Sequence, residues 1–282
     1  MSKEILVIGG TGNVGEALVQ ELVAKGETVR IGTRRPEKVS VAGAKAVLVD
    51  LDRPETLGPA LEGVDRLFVL APAGEADHVR LLAPVVDAAA ERQVKVVLQT
   101  AIGVEADDNI PFRQVELRLE KSGVPYVILR PNWFSDNFES YWGHDVLAGE
   151  IRVPAGEGKS SFIDSRDIAA AAAAALTTDK FDGQAFALTG PEALSYGEAA
   201  ELISKATGRT VGYRSVDDSE FVPAIVSAGL SPDYAQMLAA IFYPVREGWT
   251  AATTDAVEKL TGKKPRTLAA YISENAAKFI PA

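Results

Sequence analysis

Near the start of the chain, Gly9-Gly10-Thr11-Gly12-Asn13-Val14-Gly15 follows a short apolar run, Ile5 to Ile8, and opens a helical pattern from Gly12 to Lys25. The spacing reads as G-x-G-x-x-G on Gly10, Gly12 and Gly15, or as G-x-x-G-x-x-G on Gly9, Gly12 and Gly15. Glycine at such positions permits a tight turn, close approach of the backbone to a pyrophosphate, and close packing of helix on strand. The pyrophosphate then sits at the helix N-terminus, where free N–H groups point at it. The whole segment Gly9 to Gly15 is therefore expected to touch a dinucleotide.

The end of the second apolar run, Thr28 to Ile31, selects between dinucleotides. An NAD site places Asp or Glu about 20 residues beyond the glycines, where it binds the ribose 2′-OH. Here the residues are Gly32-Thr33-Arg34-Arg35-Pro36, with no acid. Guanidinium forks grip a phosphate, so NADP(H) is predicted, with Arg34 as the main contact and Thr33 and Arg35 beside it. Asp50-Leu51, Ala71-Pro72, Thr100-Ala101 and Pro131 stand at the ends of later apolar runs. Ligands bind at such carboxyl ends in open α/β sheets, so these residues join the expected contacts.

Short β-branched runs must position these groups. They recur at Ala46–Val49, Leu67–Leu70, Val94–Leu98 and Tyr126–Leu129, separated by helical patterns at 54–61, 77–91 and near 112–121. Runs of this kind, without alternation, fit strands covered on both faces. Strand–helix repetition implies an α/β fold, a Rossmann-type doubly wound parallel sheet. After Arg130-Pro131 the rhythm breaks, aromatics cluster from Trp133 to Trp142, and the last hundred or so residues are more helical. The expected organisation is a dinucleotide-binding domain over 1–153 and a smaller, mostly helical capping domain over 154–282. A segment near 160–190 is expected to return to the first.

Composition narrows the chemistry further. The 282 residues include 29 Lys+Arg, 39 Asp+Glu, two His and no Cys, a formal charge of −10. Such a charge argues against binding a nucleic-acid polymer. Without thiols there is no disulfide frame and no Cys nucleophile, and two distant His argue against a metal site. Hydrophobic residues make up 47% and charged ones 24%, an ordinary globular balance. No stretch approaches the 18 or so apolar residues of a membrane span, and no leader is read at the start, so a cytoplasmic protein without membrane contact is expected. A homodimer is compatible with the sequence. Gly158-Lys159-Ser160 lacks the earlier glycine of a phosphate-binding P-loop, and Asp164 and Asp167 read as acids at a helix start.

The chain resembles the NmrA-like family of atypical short-chain dehydrogenases/reductases. The resemblance rests on the glycine turn, Thr33 to Lys38, Asp50 to Leu57, Glu116 to Phe134, and Phe162 to Ala169. Within the family it looks most like bacterial NAD(P)H quinone, azo-dye and triphenylmethane-dye reductases. Ordinary short-chain dehydrogenases use Tyr-x-x-x-Lys on the helix after the fifth strand, and no such motif occurs here. Counting back from Ser122-Gly123 puts Phe112 at the Lys position and Asp108 at the Tyr position. Without a positioned acid, ketone reduction forfeits on the order of 10² to 10⁴ in rate. A quinone, azo bond or cationic dye can take hydride first and a proton from water later. The resemblance thus implies hydride transfer from NADPH to a small conjugated organic substrate. Phe112, Asn132, Trp133, Phe134, Phe138 and Trp142 are the expected pocket. Thr100 and His144 are weaker candidates for a catalytic role. A non-catalytic NADP(H)-sensing regulator, and an imine or double-bond reductase of a specialised metabolite, are the alternatives.

Overall fold

A computed structural model describes residues 4–281. In chain order the sheet-forming part holds β1 (Glu4–Ile8), α1 (Asn13–Ala24), β2 (Thr28–Thr33), β3 (Ala44–Leu48), α2 (Leu57–Ala60), β4 (Val64–Val69), α3 (His78–Glu91), β5 (Lys95–Gln99), α4 (Pro111–Glu120) and β6 (Tyr126–Pro131). There follow α5 (Gly143–Ala148), β7 (Glu150–Val153), β8 (Lys159–Ser160), α6 (Ser165–Thr177), β9 (Gln184–Leu188), β10 (Leu194–Ser195), α7 (Tyr196–Thr207) and β11 (Gly212–Ser215), then further short helices. Seven strands form one sheet in the order β3-β2-β1-β4-β5-β6-β9. Pairings from β3 through to β6 are all parallel. The sheet is the doubly wound α/β type that the repeating runs predicted.

The chain divides into two compact units. The first runs to Pro131 and takes in Ser165–Ala187 and Lys259–Gly262. The second holds Asn132–Asp164, Leu188–Glu258 and the residues from Lys263 onward. The break therefore falls after Pro131, not at residue 153. The reason is packing: Phe138, Trp142, Val146, Ile151 and Val153 belong to the second unit's core, and β7 pairs with β11 rather than with the large sheet. β9 escaped the sequence reading because Gln-Ala-Phe-Ala-Leu carries no β-branched residue.

In the first unit, alternate strand residues face opposite layers. Leu6, Leu67, Val69, Val96 and Leu98 pack with Leu82, Val85 and Val86 of α3 and Val115 and Leu119 of α4. The opposite layer holds α1 packed on α6. The buried alanines of α6, Ala169 and Ala171 to Ala173 among them, leave only methyl groups at the helix surface and so permit close packing. Lys95, almost fully buried, reaches across this layer. Its ammonium donates to the Thr178 carbonyl at 2.6 Å and pairs with Asp182 at 2.5 Å. Arg66 pairs with Asp179 at 3.0 Å beside it. These cations meet the carbonyl end of α6, where the helix dipole favours positive charge.

The second unit is built on aromatic packing. Tyr196 lies 5.4 Å from Phe162 and 5.6 Å from Trp142, both edge-on. Its helix α7 is started by a capping box, in which Ser195 accepts from the Glu198 N–H and Glu198 accepts from the Ser195 N–H. No helix among the described residues is long and apolar enough to cross a membrane.

Lys95→Met should leave Asp182 and the Thr178 carbonyl without their cation. Equilibrium denaturation is expected to show a loss of about 2 kcal/mol; a change below a few tenths would remove this anchor from the account.

Candidate functional site

The turn after β1 divides its glycines between two duties. Gly9 has φ +88°, a conformation that disfavours any Cβ. At Gly15 a Cβ would stand 2.0 Å from the Gly9 carbonyl oxygen, so α1 could not lie where it does. Gly12 differs: a Cβ there meets nothing closer than that same oxygen at 3.7 Å, ordinary contact. The protein's own packing thus does not demand glycine at 12. Gly12 is the N-cap of α1, offers no side chain to cap the helix, and is exposed with Thr11 and Asn13. The first N–H groups of a helix have no intrahelical acceptor. An open, uncapped, backbone-only cradle at a helix N-terminus fits a pyrophosphate.

β2 delivers Thr33, Arg34 and Arg35 to the same edge of the sheet. Thr33 Oγ1 accepts from the Arg35 N–H at 3.3 Å. Both arginines are exposed. Every other arginine pairs with an acid, a carbonyl or another described residue. Arg34 and Arg35 alone have side chains without a partner among the described residues. Two free guanidinium forks at the end of β2 fit a 2′-phosphate.

Asp50 and Leu51 follow β3, where Thr56 closes a turn by accepting from the Asp50 N–H at 3.0 Å. Ala71 and Pro72 follow β4. Thr100 and Ala101 follow β5, and Pro131 ends β6, its carbonyl accepting from the Ile102 N–H at 3.0 Å. All these positions share one edge because the strands are parallel.

A buried charge cluster, missed from the sequence, lies below Thr100. Glu116 of α4 is fully buried. Its Oε1 accepts from Thr100 Oγ1 at 2.7 Å and from Arg130 Nε at 2.9 Å. Its Oε2 accepts from Arg130 at 2.7 Å and Arg113 at 3.0 Å. Burial raises the Glu116 carboxyl, but the bonds from Arg130, Thr100 and Arg113 outweigh it and hold it below the ordinary carboxylate value. The only sequence signal was an acid and an arginine, Glu116 and Arg130, inside otherwise unrelated elements.

Phe112 opens α4, one turn before Glu116. His78 of α3 stacks on it, rings 3.7 Å apart and 9° from parallel. Burial holds the imidazole below its ordinary value, against the raising effect of a backbone bond with Glu75 and of Asp77.

The remaining candidates lie in the second unit. Phe138 and Trp142 are core residues, packed at 5.8 Å from one another and on Tyr196. Asn132 is buried with its amide engaged, donating to Ser161 at 2.7 Å and to the Thr250 carbonyl at 2.8 Å. Its Oδ1 accepts from the Trp133 N–H at 2.8 Å. It ties three segments together instead of presenting a free amide. Trp133 and Phe134 are half-buried, Trp133 stacked on Phe242 at 4.8 Å. His144 is exposed on α5, with no partner among the described residues. No cluster of three or more metal-ligating side chains occurs among the described residues.

A parallel sheet whose first turn is an open glycine cradle, with unpartnered arginines at the end of the second strand, defines a Rossmann-type dinucleotide-binding protein. The chain belongs to the NmrA-like family, whose model matches residues 1–272. It is 33% identical to the NAD(P)H azoreductase of Xenophilus azovorans, across 98% of this chain and 99% of that protein. It is 32% identical to the prestalk A differentiation protein A of Dictyostelium discoideum, across 96% and 91% respectively. Among solved structures it resembles the Citrobacter sp. triphenylmethane reductase complexed with NADP(H), with TM-score 0.81 and 26% identity over 97% and 99% of the two chains.

The two glycines should separate in experiment. Gly12→Ala is expected to keep the wild-type melting temperature and to weaken dinucleotide binding at least tenfold by calorimetric titration. Gly15→Ala should lower the melting temperature as well, since the Cβ overlaps backbone. Equal effects of the two would contradict the division of duties.

Glu116 also predicts a pH dependence. Its folded pKa is depressed, so its contribution is present above the unfolded value of about 4.3 and is lost as pH falls through the folded value. Denaturation midpoints followed from pH 6 to about pH 3 should fall less steeply in Glu116→Gln than in the wild type.

Proposed function

We propose that this protein is an NADPH-dependent reductase of electron-poor conjugated acceptors, of the quinone, azo-dye or triphenylmethane-dye kind. The observation that carries the reading is the start of α4. Where ordinary short-chain dehydrogenases hold the Lys of their acid pair, this chain has Phe112, an apolar ring stacked under a His whose burial disfavours its charged form. No charged acid stands there to protonate a developing alkoxide. The similarity to an NAD(P)H azoreductase over nearly the whole of both chains supports the same reading.

The residues divide the work. The helix N-terminus at Gly12 and Asn13 receives the pyrophosphate, and Arg34, helped by Arg35, receives the 2′-phosphate. The strand-end residues Ala71, Pro72, Thr100 and Ala101 support the remainder of the dinucleotide. The bound nicotinamide supplies the hydride. Phe112, an apolar ring near the start of α4, suits flat apolar substrates. A substrate that is already electron-poor accepts hydride before its proton, so the missing acid costs little.

NADPH consumption is expected to depend on an added quinone or azo compound. Simple ketones should react at least about 10²-fold more slowly. Arg34→Ala should weaken NADPH binding by roughly tenfold or more while leaving NADH binding unchanged. Tight NADPH binding with no turnover across a broad acceptor panel would overturn the reductase reading and favour a dinucleotide-sensing regulator.

A further inference from the structure

Thr100 is nine-tenths buried or more, at 5% exposure, and immediately follows β5 at the ligand edge of the sheet. A hydroxyl has one proton and two acceptor lone pairs. Here the proton goes to Glu116 Oε1 at 2.7 Å. Glu116 cannot easily turn away. Arg130 holds both its oxygens in a two-pronged bond, at 2.9 and 2.7 Å. Arg113 adds a third donor on Oε2, and is itself fixed by Glu120 at 2.8 Å and Asp108 at 3.2 Å. Glu105 stands 3.6 Å from the far side of Arg130. The carboxylate is acceptor-only, so the Thr100 proton has one direction.

We infer that Glu116 is a positioning residue that turns Thr100 Oγ1 into an obligate hydrogen-bond acceptor for an N–H donor of the ligand, the carboxamide N–H of the nicotinamide. This rests on the dinucleotide reading above. The carboxamide carries the N–H donors at the redox end of that cofactor, and an oriented acceptor would fix which way the amide faces. The ion pairs around Glu116 thereby do more than hold α4 to β5 and β6. They set the polarity of a single hydroxyl at the strand end.

The test compares binding of NADPH with binding of its reduced 3-acetylpyridine analogue, which keeps the carbonyl but lacks the N–H. Fluorescence titrations without substrate give the ratio of dissociation constants. Wild type should prefer NADPH by about tenfold, the size of one well-made hydrogen bond. Thr100→Val should bring the ratio near one by weakening NADPH alone, and Thr100→Ser should restore the preference. Glu116→Gln should also reduce it, because a neutral amide can donate to Thr100 and free its proton for the acetyl oxygen. Should Glu116→Gln fail to fold, the Thr100 pair still decides. An unchanged ratio in Thr100→Val overturns the proposal while leaving the dinucleotide reading intact. Failure of wild type to bind either compound overturns both.

Discussion

The fit of Gly15 beneath the Gly9 carbonyl is the constraint on which the nucleotide site depends. With a Cβ only 2.0 Å from that oxygen, no other residue leaves α1 in place. Because α1 lies where it does, its N-terminus faces the carboxyl edge of the sheet. Gly12 then remains as an open cradle that internal packing does not explain. The helix is also held from behind by α6, whose buried alanines permit close packing. Lys95 and Arg66 secure the far end of α6. A contact at one end of the sheet is thus maintained by charges at the other.

Two kinds of charge serve opposite purposes in this acidic protein. Arg34 and Arg35 are left unpaired at the surface, where a phosphate would neutralise them. Arg130 and Arg113 are spent on a buried carboxylate. A buried ion pair is weak evidence for stability, since desolvation offsets much of its attraction. Its value here lies in geometry: a fixed carboxylate fixes a hydroxyl. The overall charge of −10 therefore says nothing against binding a phosphorylated small molecule, because Arg34 and Arg35 stand exposed and unpaired at the end of β2.

What the sequence made legible was local. The glycine turn, the arginines after β2 and each short buried run are contained within a few consecutive residues, and each appears where expected. The Glu116 cluster was not legible, because Thr100, Arg113, Glu116 and Arg130 come together only through the registers of β5, α4 and β6. The aromatic run was legible as a cluster but not by facing. A run such as Trp133 to Trp142, broken by a short 3-10 turn at Ser135–Phe138, carries no periodicity that separates core from surface. Hence Phe138 and Trp142 prove to be core, and Asn132 a structural tie. The division after Pro131 was hidden for the same reason: no linker composition marks it, and only the pairing of β7 with β11 reveals where Asn132 to Asp164 belongs.

The central claim is hydride transfer without a positioned proton donor. Isotope effects on reduction of an azo or quinone acceptor test it most directly, using NADPH deuterated at the transferring carbon and, separately, heavy water. A clear primary effect from the deuterated cofactor, with little or no solvent effect, is expected. A large solvent effect with no primary one would mean that proton delivery limits the reaction, and would contradict that claim.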